Sequence, residues 1–134
     1  MQTLFSFPFL TVYLHTGPFP ALETHWRSFA TSTEFRDSIE QAVHLGIQHQ
    51  VKGWIADDRQ LGAVRPRDLD WVYNDALLPL DQAGLLRFAL LESQDTLNRH
   101  TIAKVYTRAE PAVSFEIRTF QDITLARAWA KGID

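Results

Sequence analysis

Two short runs, "VKGWIA" at residues 51–56 and "LLRFALL" at residues 85–91, constrain this chain more than any other feature. Neither alternates apolar with polar residues, as a strand with one wet face does. Runs of this length that are apolar on both faces suit interior strands of a sheet covered by helices on its two sides. A doubly covered sheet needs helices between its strands, and the chain supplies them.

The first predicted helix lies in "TSTEFRDSIEQAVHLGIQH", where Thr31 and Glu34 have the spacing of a capping box and Phe35, Ile39 and Val43 form one apolar face. Between the two runs, Pro66 marks a helix start, and Leu69, Val72, Tyr73, Ala76, Leu77 and Leu80 follow at three-and-four spacing. Pro79 is expected to bend or end that helix, and Gly84 to mark the way out. "SQDTLNRHTIAKVY" gives a third helix capped by Asp95, "AVSFEIRTF" a fifth strand, and "QDITLARAWAKG" a short helix stopped by Gly132.

Upstream, "FLTVYLH" and "ALETHWR" alternate and are joined by the turn residues of "TGPFP". A hairpin centred on Pro18 sets Leu14 opposite Leu22, Val12 opposite Thr24 and Leu10 opposite Trp26. The expected fold is therefore α/β, in the order ββαβαβαβα. Its sheet is five-stranded and mainly parallel, with an opening β-hairpin and about four helices. A chain of 134 residues forms one domain, residues 1–134, with a single core.

Composition narrows the function classes. A net charge of −3 without a basic run speaks against nucleic acid as the partner. The absence of Cys removes disulfides, thiolate metal sites and cysteine nucleophiles. No apolar run approaches the roughly 18 residues that span a bilayer, so no membrane insertion is expected. "MQTLFSFPFLTVYL" has the character of a strand, broken by Pro8, and lacks a basic leader; the expected location is the cytoplasm, by elimination.

The order of elements, with "WIADDR", "DLDW" and "ALLES", resembles the STAS-like α/β proteins, the fold of the sporulation anti-sigma-factor antagonists, and in particular a poorly characterised bacterial branch of it. The residues that carry the resemblance are Trp26, Trp54 to Asp57, Trp71, Ala126 and Trp129, over most of the chain from about Leu10. The resemblance implies a non-enzymatic regulatory or protein-interaction module. Antagonists of this fold are switched by phosphorylation of a Ser or Thr after the strand that "VKGWIA" would form. Here no Ser or Thr occurs between Val51 and Glu92, and Asp57 and Asp58 stand in that region, so the switch does not carry over.

Asp57 and Asp58 could serve as phosphoacceptors, metal ligands or a general-acid pair; the bland alternative is that they cap the following turn and pair with Arg59, Arg65 or Arg67. The five histidines lack the four-residue spacing of a helical zinc motif and are expected to be scattered over the surface, so no metal site is assigned. No Gly-rich phosphate loop or Gly-x-Ser-x-Gly elbow occurs, and no cofactor is expected. Trp71 falls off the apolar stripe, on a flank with Asp75 and Leu78, where it could be an interface hot spot or fold back onto the core. The expected interaction face comprises Asp57, Asp58, Arg59, Trp71, Asp75 and Leu78, and binds a protein partner or a second copy as a homodimer. The alternative is a domain that binds a small apolar, lipid-like ligand.

Overall fold

A computed structural model describes residues 1–133. The two apolar runs form β4 (Gly53–Asp57) and β5 (Arg87–Leu91), side by side, parallel and inside the sheet. Every residue of β4 is buried. β3 (Ala21–Trp26) and β6 (Glu116–Thr119) flank them in parallel. β2 (Leu10–His15) pairs antiparallel with β3 in the expected register, Leu10 opposite Trp26, Val12 opposite Thr24 and Leu14 opposite Leu22.

The sheet has six strands, in the order β1-β2-β3-β4-β5-β6, one more than expected. The additional strand is β1 (Gln2–Phe7), antiparallel to β2. Pro8 and Phe9 do not break a single strand; they are the turn of a first hairpin. β1 is an edge strand with both faces partly exposed, so it lacks the alternation that would have marked it. Its rings continue the core instead, since Phe7 stacks on Phe9, Phe9 on Trp26 and Trp26 on Phe35.

Two unequal layers cover the sheet. On one side lie α1 (Ser32–Gln48), the rod of α2 (Pro66–Val72) and α3 (Leu78–Gln82), and α4 (Thr96–Ala109). They close the larger core around Leu22, Trp54, Phe88 and Ile102. On the other side, among the described residues, only the helix α5 (Ile123–Ala130) packs, over β4 and β5, with Ala126, Trp129 and Ala130 against Ile55 and Ala89. That approach is close, because a methyl group on Gly53 would run into the Ala130 carbonyl. Local chemistry sets the helix ends. Thr31 and Glu34 close a reciprocal capping box, and Asp95 accepts from the Asn98 N–H at 2.8 Å. Gly84 and Gly132 take φ of 97° and 80°.

Pro79 does not end the second helix. Between α2 and α3 the backbone widens into a π turn, Tyr73–Leu77, in which the Leu78 N–H bonds the Tyr73 carbonyl five residues back. Pro79 offers no N–H and its ring crowds the carbonyl four residues earlier. The wider turn placed just before it lets the rod continue to Gln82.

Candidate functional site

Asp57 and Asp58 are neighbours in sequence at the carboxyl end of β4, and strand geometry sends successive side chains to opposite faces. They belong to two different environments. A backbone bond from the Asp58 N–H to the Leu91 carbonyl, 2.9 Å, pins this end of the strand to β5. The following loop is held by Asn98 of α4, whose amide donates to the Leu61 and Gly62 carbonyls and accepts from the Val64 N–H.

Asp57 faces the α5 side and is capped by its own loop. Arg59 donates to it through Nε at 2.9 Å and Nη2 at 2.9 Å, a two-point pairing that holds the guanidinium above its ordinary range. His25 Nδ1 lies 4.0 Å away. Beside this pair, Glu23 is fully buried and takes Arg127 Nε at 2.7 Å, Arg127 Nη2 at 3.0 Å and His15 Nε2 at 2.8 Å. Burial alone would raise the Glu23 pKa, but the hydrogen bonds from His15 and Arg127 outweigh it and hold the group at about 2. Glu23, His25 and Asp57 present ligand atoms within 4.8 Å of one another. Their carboxylates already accept from Arg127 and Arg59, so a metal cation would have to displace two guanidiniums. This side is a neutralised ion-pair network. Of the histidines, His44, His49 and His100 are exposed as expected and His25 is half-buried, but His15 is buried in that network.

Asp58 faces the other way, into the helix layer. It lines a cavity of about 60 Å³ whose walls are otherwise almost wholly apolar, with Thr24 and Tyr106 the other hydroxyl-bearing residues. Only 5% of its surface is exposed, and among the described residues nothing hydrogen-bonds its carboxyl. No fully enclosed side-chain nitrogen or oxygen of the described residues lacks a partner, so the unpartnered Asp58 oxygens keep some accessible surface. Burial, and then the charge of Asp57, push the Asp58 pKa up to about 7. Burial, and then Asp58, raise the Tyr106 phenol well above its usual range. The π turn contributes Ala76 and Leu77 to the same wall. A second cavity of about 280 Å³, between the starts of α1 and α2, shares Phe35 and Leu61 with the first as a common wall.

The six residues expected to form one interaction face are thus distributed. Asp57 and Arg59 lie on the α5 side, Asp58 inside the helix layer, and the other three on the α2–α3 rod. Trp71 is half-buried, packs on the core and carries the Arg36 guanidinium 5.8 Å from its ring; Asp75 is exposed and Leu78 half-buried. The π turn inserts an extra residue between Trp71 and Leu78, which rotates the two apart by about 100° relative to an uninterrupted α-helix. Sequence reasoning passed over Glu23, Arg127 and Tyr106. Glu23 had the alternation of a wet face, and only the arrival of α5, 104 residues later, buries its pairing with Arg127.

No family model and no curated protein matches the chain. The sheet, which opens in antiparallel strands and continues in parallel with helices on both faces, has a STAS-like, SpoIIAA-like fold. A solved structure similar to this one is that of an uncharacterised protein of the DUF3478 family with a SpoIIAA-like fold from Shewanella loihica PV-4. The TM-score is 0.61 at 14% identity, over 94% of this chain and 98% of that one. That likeness establishes the fold. Among the described residues no helix is long and apolar enough to cross a membrane.

Proposed function

We propose that this chain is a non-enzymatic binding module whose specificity resides in the cavity under Asp58, which takes a small ligand with a largely apolar body. One observation carries the reading: a buried carboxyl without a protein partner, bordering open apolar volume. A buried polar group is normally hydrogen-bonded, and one left open in an apolar cavity suits a ligand that completes it. The cavity is too small for a lipid-sized molecule in its present form. Joined to its neighbour by movement of Phe35 or Leu61, it reaches the lower end of the roughly 300–1,000 Å³ of small-molecule sites.

The test is a titration with benzyl alcohol, followed through the backbone amides of the full chain. Shifts confined to residues lining the cavity, and lost in Ala56→Val, which fills part of it, are the expected result. An absence of shifts at millimolar probe would overturn the reading.

A protein-interaction module is the second reading, favoured by the half-exposed Trp71 beside Arg36. Trp71→Ala separates the two. Because the ring packs on the core while staying half-exposed, the expected outcome is a folding loss of about 2 kcal/mol in urea melts, below the ~3–5 kcal/mol of a fully buried aromatic. Sedimentation behaviour should stay unchanged. A wild-type dimer that dissociates on this substitution would instead establish the interaction face and homodimer.

On either reading, the module works without a phosphorylation switch after β4, since residues 51–92 contain no Ser or Thr. Incubation with kinases from the source cell and peptide mapping should leave that segment unmodified; stoichiometric phosphate on Tyr73 or an Asp there would refute this.

A further inference from the structure

Three features of the cavity wall together define the polar end of its ligand. The lining contains one carboxyl and no Lys, Arg or His. That carboxyl has no hydrogen-bond donor from the described residues. Five aromatic residues, Trp26, Phe35, Trp54, Phe88 and Tyr106, share the wall, and aromatic faces attract cations. An anionic group would be repelled there, and a purely apolar occupant would leave Asp58 unpaired. A cation with hydrogen-bond donors supplies what the wall lacks.

We propose that the ligand of this cavity is a primary ammonium with a compact apolar body, its charge held by Asp58 and its body by the aromatic wall. The proposal rests on the ligand-binding reading above and names the ligand class of that same site. Binding forms an ion pair between the ammonium and the ionised carboxylate, and any proton that Asp58 carries in the empty site leaves to solvent. The groups that face Asp58 do not compete for this role. Thr24 comes from β3, Phe88 from β5 and Tyr106 from α4, while the linings from α1 and the α2–α3 rod are aliphatic or aromatic. Asp57, on its own strand, is turned to the other face and neutralised by Arg59. Tyr106 stays neutral throughout the relevant range, because burial and Asp58 raise its phenol.

The experiment compares benzylamine with its neutral isostere benzyl alcohol on the full chain, by amide shifts and calorimetry. At about pH 8 benzylamine should bind about tenfold or more tightly than benzyl alcohol, the scale of one charge-assisted contact. At about pH 5.5 its affinity should fall about thirtyfold, since a carboxyl titrating at about 7 is then almost wholly protonated, while benzyl alcohol changes little. Asp58→Asn should abolish the preference for the amine. The wild-type pH comparison decides the matter even if that variant misfolds. Equal binding of both probes, or an amine preference that survives in Asp58→Asn, would overturn the amine assignment and leave the ligand-binding reading standing. Binding of neither probe would overturn both.

Discussion

Asp58→Asn is expected to make this protein more stable at neutral and alkaline pH, by roughly 2–4 kcal/mol in urea melts at about pH 8. The carboxyl is buried without a hydrogen-bond partner among the described residues, and its pKa is raised from 3.8 to about 7. In the unfolded chain it loses its proton near pH 4, whereas the folded chain keeps it until about pH 7. Between those values the native state binds the extra proton, so stability falls as pH rises, and levels off above the folded pKa. Below about pH 4 the carboxyl is neutral in both states and contributes no penalty. Replacing it with a neutral amide should remove the decline. A variant less stable than wild type at about pH 8, or a wild type whose stability stays flat from about pH 4 to 7, would show that Asp58 is not a buried unpaired acid. A stabilising substitution at a buried polar position is also the pattern expected where stability has been given up for binding.

Glu23→Gln should act in the opposite direction, with a loss of about 3 kcal/mol at neutral pH. Glu23 is fully buried and neutralises Arg127 while bonding His15. An amide in its place leaves the guanidinium without a counter-charge, the situation in which broken buried pairs become costly. Arg127 is partly exposed, which lets water recover some of the loss. The Glu23 pKa is depressed from 4.5 to about 2, so its contribution is fully present above the unfolded value and disappears as pH falls from about 4.5 to 2. Wild type should therefore show an acid transition in that window, weakened in Glu23→Gln. Equal stability of the two proteins at pH 7 would mean that the Arg127 pairing contributes nothing. Because Asp58 and Glu23 titrate in separate windows, one pH series resolves both.

Local chemistry was legible where one residue type has one strong preference. The apolar runs of β4 and β5, the register of the β2–β3 hairpin and the caps at Thr31 and Asp95 depend on spacing within a few residues, and the chain displays that spacing directly. β1 was obscured because an edge strand exposed on both faces has no period to read. The continuation of the helix past Pro79 was obscured because a π turn is a backbone compromise with no spacing of its own. The adjacency of Asp57 and Asp58 was also visible, at the carboxyl end of β4. What the two carboxyls do was decided in three dimensions. The alternation of a strand sent them to opposite faces, and the unequal covering of those faces did the rest. On one side Asp57 met its own Arg59, and α5 brought Arg127 to Glu23, so charges were paired. On the other, three helical elements closed over Asp58, whose carboxyl has no hydrogen bond among the described residues. Sequence determines which groups are available, but the burial and pairing that set their charge depend on residues more than a hundred positions away.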